Sequence, residues 1–348
     1  MRLRTLHRAL LGFAFGPLLG CGGDTSPRKG QIMLALQTDM NIPTDVSHVR
    51  IVVLKNGALK FDQKYRVGKD GEEIPATLGI IASDNASDTT EVRVLSYQGS
   101  KVRTLNRVVT TIPTNRVATL NVPIQWLCDG QVKSSDAAAD GFDSSCDDPE
   151  AACIAGECRK VYVDSVTLPD FELADVTGGS AVPEEGLCYD TAACLDLGRD
   201  ITPDAQCQIA VPKKLLPKLN VGLRLPKDGG GICGDAGNCY IPLDSNPDSG
   251  FRVVDGSKDP AIVALPKAAC TKLASGDAAA VRVSDACVTK TPSIPTCGPW
   301  TSVGTRNPNK GPTAGSGASP GVEPGTGGAG GAGGEGTDAT GGTVDSHT

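Results

Sequence analysis

Apolar and polar positions alternate in short segments through the first third of the chain. IMLALQT (Ile32 to Thr38), HVRIVVLK (His48 to Lys55), ALKFDQKYRV (Ala58 to Val67), EIPATLGII (Glu73 to Ile81), EVRVLSY (Glu91 to Tyr97), VRTLNRVVTTI (Val102 to Ile112) and RVATLNVPIQ (Arg116 to Gln125) each read as a strand. In the last, Ala118, Leu120, Val122 and Ile124 alternate with polar or small positions, the period of two that leaves one strand face buried. Asn56-Gly57 lies between two of these segments, and a two-residue hairpin turn needs positive φ at both of its positions. Gln98-Gly99 supports a second hairpin. Residues 31–127 therefore predict a small antiparallel β-sandwich of seven strands, without a cysteine before Cys128.

The pattern changes at Cys128. Residues 128–158 hold Cys128, Cys146, Cys153 and Cys158 with many aspartates and little apolar material. Such a segment cannot bury a core of its own, so disulfides must hold it. An even set of four predicts a self-contained stapled module with three possible pairings. Residues 159–302 carry Cys188, Cys194, Cys207, Cys233, Cys239, Cys270, Cys287 and Cys297. The strand candidates there are VYVDSVTL (Val161 to Leu168), CQIAVP (Cys207 to Pro212), LNVGLRLP (Leu219 to Pro226), FRVV (Phe251 to Val254) and AAVRVS (Ala279 to Ser284). One short helix is expected, with Pro266 in its first turn, Ala268, Ala269, Cys270 and Leu273 within and Gly276 as its stop. Cys188 with Cys194, and Cys233 with Cys239, are close enough to close small loops, although eight cysteines allow 105 pairings. The fold class is mainly β: a sandwich, then a disulfide-rich, mostly β domain. From 303 to 348 glycine dominates without a triplet repeat, which predicts a disordered tail. In architecture the first region resembles the immunoglobulin and transthyretin-like class, without the paired cysteines of true immunoglobulin domains.

The first residues change the reading of the cysteines. MRLRTLHR carries Arg2, Arg4 and Arg8 and no acid, and the apolar run Ala9 to Gly20 follows. A basic segment before a short apolar one is the pattern of a secretory signal peptide, and twelve residues are too few for the roughly 20 that span a bilayer. Leu18-Leu19-Gly20-Cys21 resembles the lipobox of bacterial lipoproteins. That resemblance implies a leader at 1–20, diacylglycerol on the Cys21 thiol and a polar tether at 21–30. Gly22, in place of aspartate, implies the outer membrane, with the protein facing the periplasm or the exterior. With Cys21 lipidated, the other twelve of 13 cysteines form an even set in an exported chain, which reads as structural disulfides. Thiolate metal sites would want CxxC pairs or nearby histidines; the chain has no CxxC, and its only histidines are His7, His48 and His347. The leader removes three of 33 basic residues and none of the 40 acidic ones, so the net charge falls from −7 to −10 and nucleic acid is an unfavourable partner.

Candidate chemistry is sparse. In DSNPDSGFRVVD, Asp244, Asn246, Asp248 and Asp255 fall at positions 1, 3, 5 and 12 of an EF-hand-type calcium loop, where a hard cation would find clustered oxygens. Ser249 stands where glycine should, Gly250 comes one place late, Pro247 stiffens the loop and no helices flank it. The same residues also suit a surface turn between two strands. The acidic stretch Asp136 to Glu150 reads as a solvated face. Gly325, Gly327 and Gly330 spell GxGxxG inside the low-complexity tail, and Ser26 and Lys29 spell a serine–lysine motif inside the tether; neither has the context its chemistry needs. Asn85-Ala86-Ser87 fits a glycosylation acceptor that a bacterial lipoprotein would not normally use. A catalytic triad would have to rest on His48, at the start of a strand, and no GxSxG elbow is present. Trp126 and Trp300 read as core residues rather than sugar platforms.

The expected function is a lipid-anchored envelope lipoprotein acting as a non-enzymatic binding protein, with a glycan or protein partner and no cofactor beyond a calcium ion at the 244–255 loop. Two alternatives stand beside it: an envelope hydrolase using a carboxylate pair in the 159–302 domain, and a structural envelope component.

Overall fold

The computed structural model describes residues 29–303 except 84, 86, 183, 184 and 302. Cys21, the leader, Ser26 and the tail after Val303, with its GxGxxG, lie outside the described residues; Val303 itself is buried. The seven expected strands form: β1 Gln31–Thr38, β2 His48–Lys55, β3 Ala58–Arg66, β4 Ala76–Ile81, β5 Thr89–Gln98, β6 Lys101–Thr111 and β7 Val117–Ile124. They make two sheets, ordered β4-β1-β7 and β3-β2-β5-β6. Asn56 and Gly57 have φ of 47° and 77°, the conformation that the hairpin between β2 and β3 requires. One pairing departs from the antiparallel expectation. β7 runs parallel to β1, from Gln31 opposite Val117 to Thr38 opposite Ile124. Parallel neighbours need a long crossover, and the five intervening strands supply it. Ile32 and Leu34 of β1, Val49 and Ile51 of β2, Val92 and Val94 of β5, and Leu120 and Val122 of β7 fill the core between the sheets.

The outer face of the four-stranded sheet is also apolar in part. Val52, Leu54, Leu95, Tyr97 and Leu105 form a second cluster there. Residues 128–158 cover it, with Val132 and Phe142 packed against it. This segment folds as two small hairpins, β8 Val132–Ser134 with β9 Phe142–Ser144 and β10 Ala151–Ile154 with β11 Glu157–Lys160. Its cysteines pair among themselves, Cys128 with Cys153 and Cys146 with Cys158. The segment thus completes the core of the sandwich instead of making one.

The rest of the chain builds two further antiparallel sheets. Two one-turn helices, α1 Leu173–Val176 and α2 Thr191–Leu195, come first. The strands are β12 Arg199–Ile201, β13 Gln208–Val211, β14 Asn220–Arg224, β15 Ile232–Cys233, β16 Cys239–Leu243, β17 Arg252–Asp255, β18 Ala261–Ala264 and β19 Ala280–Ser284. They are ordered β12-β19-β14-β16-β15 and β13-β18-β17. The expected helix is α3, Lys267–Ser275, with Pro266 at its N-cap and Gly276 at its C-cap, φ 81°. The expected strand at 161–168 does not form. Tyr162 makes a single bridge to Val109, and the Asp164 side chain accepts from Val166 N and turns the chain into a 3-10 turn. The eight cysteines pair as Cys188–Cys297, Cys194–Cys287, Cys207–Cys270 and Cys233–Cys239. The second small loop is therefore as expected, whereas Cys188 and Cys194 each reach the far end of the region.

A single hydrophobic cluster continues from the sandwich into these sheets and includes Ile209, Val211, Leu223, Phe251, Val263 and Val283. Trp126 and Trp300 belong to it, both 3% exposed. At the seam, Asp45 Oδ2 accepts from Gly231 N at 2.8 Å, and Trp300 O accepts from Ile74 N at 3.1 Å.

Candidate functional site

Three of the four residues expected to hold calcium have their side chains engaged elsewhere, and Asp248 lies at the tip of the turn with its backbone N–H bonded. Asp244, just after β16, accepts at Oδ1 from the buried Lys290 ammonium at 2.5 Å. Asn246 Oδ1 accepts from Asp248 N at 2.7 Å and Ser249 N at 3.1 Å, an Asx turn. Asp255 Oδ1 accepts from Ser257 N and Oγ at 2.9 and 2.6 Å, and these bonds lower its pKa. Gly250 is placed by close approach, since a Cβ there would lie 1.8 Å from Asp244 O. Among the described residues no group of three or more His, Cys, Asp or Glu is placed to hold a metal ion. The loop is the surface turn between β16 and β17, the other arrangement its composition suits.

The acidic stretch 136–150 is not uniformly solvated either. The Asp140 side chain is fully buried against Arg93 of β5. His48 lies next to Ser47, whose Oγ is 3.0 Å from its Nδ1, and burial with Lys64 and Arg66 nearby lowers its pKa. Neither His48 nor a tryptophan marks a reactive or sugar-stacking site.

A charged cluster that sequence reading missed lies at the seam. Asp39, half-buried just after β1, accepts from Trp126 N at 2.8 Å. Desolvation, reinforced by the Asp244 charge and opposed by the Trp126 amide and Lys290, pushes its pKa up to about 7.

The tip of the 244–250 turn forms one wall of a cleft of about 370 Å³. Ala155, Glu157 and Arg159 of the stapled segment face it, with Gln206 and Gln208 at the start of β13. β17 adds Arg252 and Val254, and the end of β18 leads through Leu265 and Pro266 to Lys267 at the start of α3. Two disulfides hold these walls. Cys207–Cys270 ties the entry of β13 to α3, and Cys146–Cys158 ties down β11 between Glu157 and Arg159. Leu265 N also donates to Cys207 O at 3.0 Å.

The electrostatics of the cleft run against those of the chain. Arg159 pairs with Glu157 at 3.2 Å. Arg252 and Lys267, both exposed, have no ion pair among the described residues. The positive end of the α3 dipole points the same way as these cations. Among the described residues no aromatic side chain lines the cleft; its uncharged polar groups are Gln206, Gln208 and Ser249. Such a surface can grip a polar ligand by charge and hydrogen bonds, and it offers no nucleophile and base in contact. Sequence reading had no access to it, because its cations lie far apart among acidic neighbours. The one signal that could have joined them, the Cys207–Cys270 pairing, is hidden among 105 possibilities.

No family model, curated protein or solved structure matches the chain.

Proposed function

We propose that this chain is a lipid-anchored cell-envelope protein that binds a polar envelope component in the cleft between β11, β13, β17 and α3. The observation that carries the reading is that Arg252 and Lys267, neither in an ion pair among the described residues, line a disulfide-braced cleft in a chain of net charge −7. A preformed concave site with a few convergent polar groups is the usual form of a ligand site. Six disulfides support maturation in an oxidising compartment, which agrees with a leader ending at Cys21. Lipid on Cys21 would hold the protein at the membrane, with the 22–30 tether between anchor and first strand. Affinity capture from an envelope extract with the leaderless protein tests the binding role. Capture of a glycan or protein that Arg252→Glu abolishes supports it, and a blank with both classes opposes it. Mass spectrometry of host-derived protein tests the anchor: lipid on residue 21 is expected, and an intact leader or bare thiol counts against it.

One observation favours the hydrolase alternative. Burial holds a proton on the Asp39 carboxyl up to about 7, as a general acid requires, and Asp244 of the 159–302 region, bonded to Lys290, is the nearby carboxylate; Asp39 itself lies outside that region. Hydrolysis of a glycan or peptide that Asp39→Asn removes would make that reading the better one.

A further inference from the structure

The lining of the cleft narrows the class of ligand, and this step rests on the binding role just proposed. A bare cation is disfavoured, because Arg159, Arg252 and Lys267 outnumber Glu157 and Asp248 in the lining. A small inorganic anion is a poor fit to a cleft of about 370 Å³, which is within the range that holds organic ligands. An apolar ligand is disfavoured because Gln206, Gln208, Ser249, Glu157 and Asp248 share the lining. A neutral sugar would lack its usual aromatic platform, because no Trp, Tyr or Phe among the described residues lines the space. What remains is a polar body rich in hydroxyls that carries at least one negative charge. Glu157 already occupies Arg159 through one guanidinium nitrogen, so Arg252 and Lys267 are the cations left for a ligand. Arg252 presents a planar fork suited to a carboxylate, and Lys267 adds a point charge at the positive end of α3. The two glutamine amides can each donate to one hydroxyl and accept from another.

We propose that the cleft binds an acidic saccharide: its carboxylate sits between Arg252 and Lys267, and its hydroxyls face Gln206 and Gln208. The test is titration calorimetry on the folded chain with three probes of equal length: a galacturonate trisaccharide, a neutral galactose trisaccharide and triglutamate. Monomeric galacturonate separates a free sugar acid from a chain, since the trisaccharide should bind more tightly if a chain occupies the cleft. The uronate trisaccharide is expected to bind at least about tenfold more tightly than the neutral one. Its affinity should fall severalfold between about 20 mM and about 300 mM salt, as screening shortens the reach of exposed charges. Arg252→Glu and Lys267→Glu should each weaken it by about tenfold or more, a loss of about 1.4 kcal/mol. Lys258→Glu, an exposed cation outside the cleft that already neighbours Asp255, should change it less than about twofold. Matching thermal melts would establish that each variant folds.

The proposal is overturned if the uronate fails to bind, if Arg252→Glu leaves its affinity unchanged, or if triglutamate binds as well. Equal binding of the neutral trisaccharide, lost on Gln208→Trp, overturns the acidic preference and leaves the binding role standing. Silence from every probe together with a blank envelope capture removes both.

Discussion

Asp140 presents both carboxylate oxygens to Arg93, with Oδ2 2.7 Å from Nε and Oδ1 3.1 Å from Nη2. The pair lies between the four-stranded sheet and the segment that covers it. Arg93 also donates to Phe142 O and to Glu91, which Arg107 shares from the adjacent strand. Arg50 Nη1 reaches Asp140 O at 3.0 Å. This network fastens the stapled segment to the sheet through charge where apolar area is small.

Removing one partner leaves the other charge buried and unmatched. Asp140→Ala is expected to destabilise the fold by about 3–5 kcal/mol. Replacing both, Arg93→Met with Asp140→Leu, should cost less than either change alone would suggest, because no stranded charge remains. Urea denaturation of the two single variants and the double variant measures this. Additive losses would mean that the pair is not coupled.

Asp39 should make stability fall as pH rises. Its carboxyl holds a proton up to about 7 in the fold but releases it near 3.8 when unfolded. Its contribution is therefore complete below pH 3.8, declines between 3.8 and about 7, and is gone above that. The effect is bounded at about 4 kcal/mol and is smaller in practice, because the residue is only half-buried. Asp39→Asn keeps an acceptor for Trp126 N and removes the titration. The variant's melting temperature should equal that of the parent near pH 4 and exceed it by several degrees at pH 8. Parallel curves would dismiss the effect.

The disulfides should differ in worth with the loops they close. Cys188–Cys297 spans 109 residues and Cys233–Cys239 spans 6. In the chain-entropy model, replacing the first pair by serines costs about 5 kcal/mol and the second about 2 kcal/mol. Thermal melts of the two double variants compare them, and equal losses would show that strain or solvation outweighs loop entropy.

Two glycines should respond to alanine for different reasons. Gly57 has φ 77° and open space around a would-be Cβ, so Gly57→Ala costs about 1–2 kcal/mol of backbone strain alone. Gly250 has no unusual φ, but a Cβ would strike Asp244 O. Gly250→Ala should cost about 2–3 kcal/mol, since the turn must open and draw Asp244 from Lys290. It should also weaken ligand binding, because the same turn lines the cleft. Denaturation and calorimetry together separate the two cases.

The sandwich was legible because its signals are local. Alternation in Val117–Ile124 and the Asn56-Gly57 pair act within a few residues, and so do Pro266 and Gly276 at the ends of α3. Short strands such as β16 and β18 escaped, the first because Pro242 argues against a strand and the second because AIVA is only four residues long. At the 244–255 loop, spacing along the chain did not fix where the side chains point. Asp244 turned to Lys290, 46 residues away, and Asp255 to Ser257, two residues away.

By itself the sequence determined the strands of the sandwich, the hairpin, the helix ends and the even count of cysteines after Cys21. Those follow from backbone periods and turn geometry, which a few neighbouring residues settle. The tertiary structure alone decided the parallel seating of β7 on β1, the cysteine partners, the burial of Asp140 and the gathering of Arg159, Arg252 and Lys267 around one cleft. Burial and the effective strength of a charge depend on what packs against a residue, and here the packing partners come from distant parts of the chain.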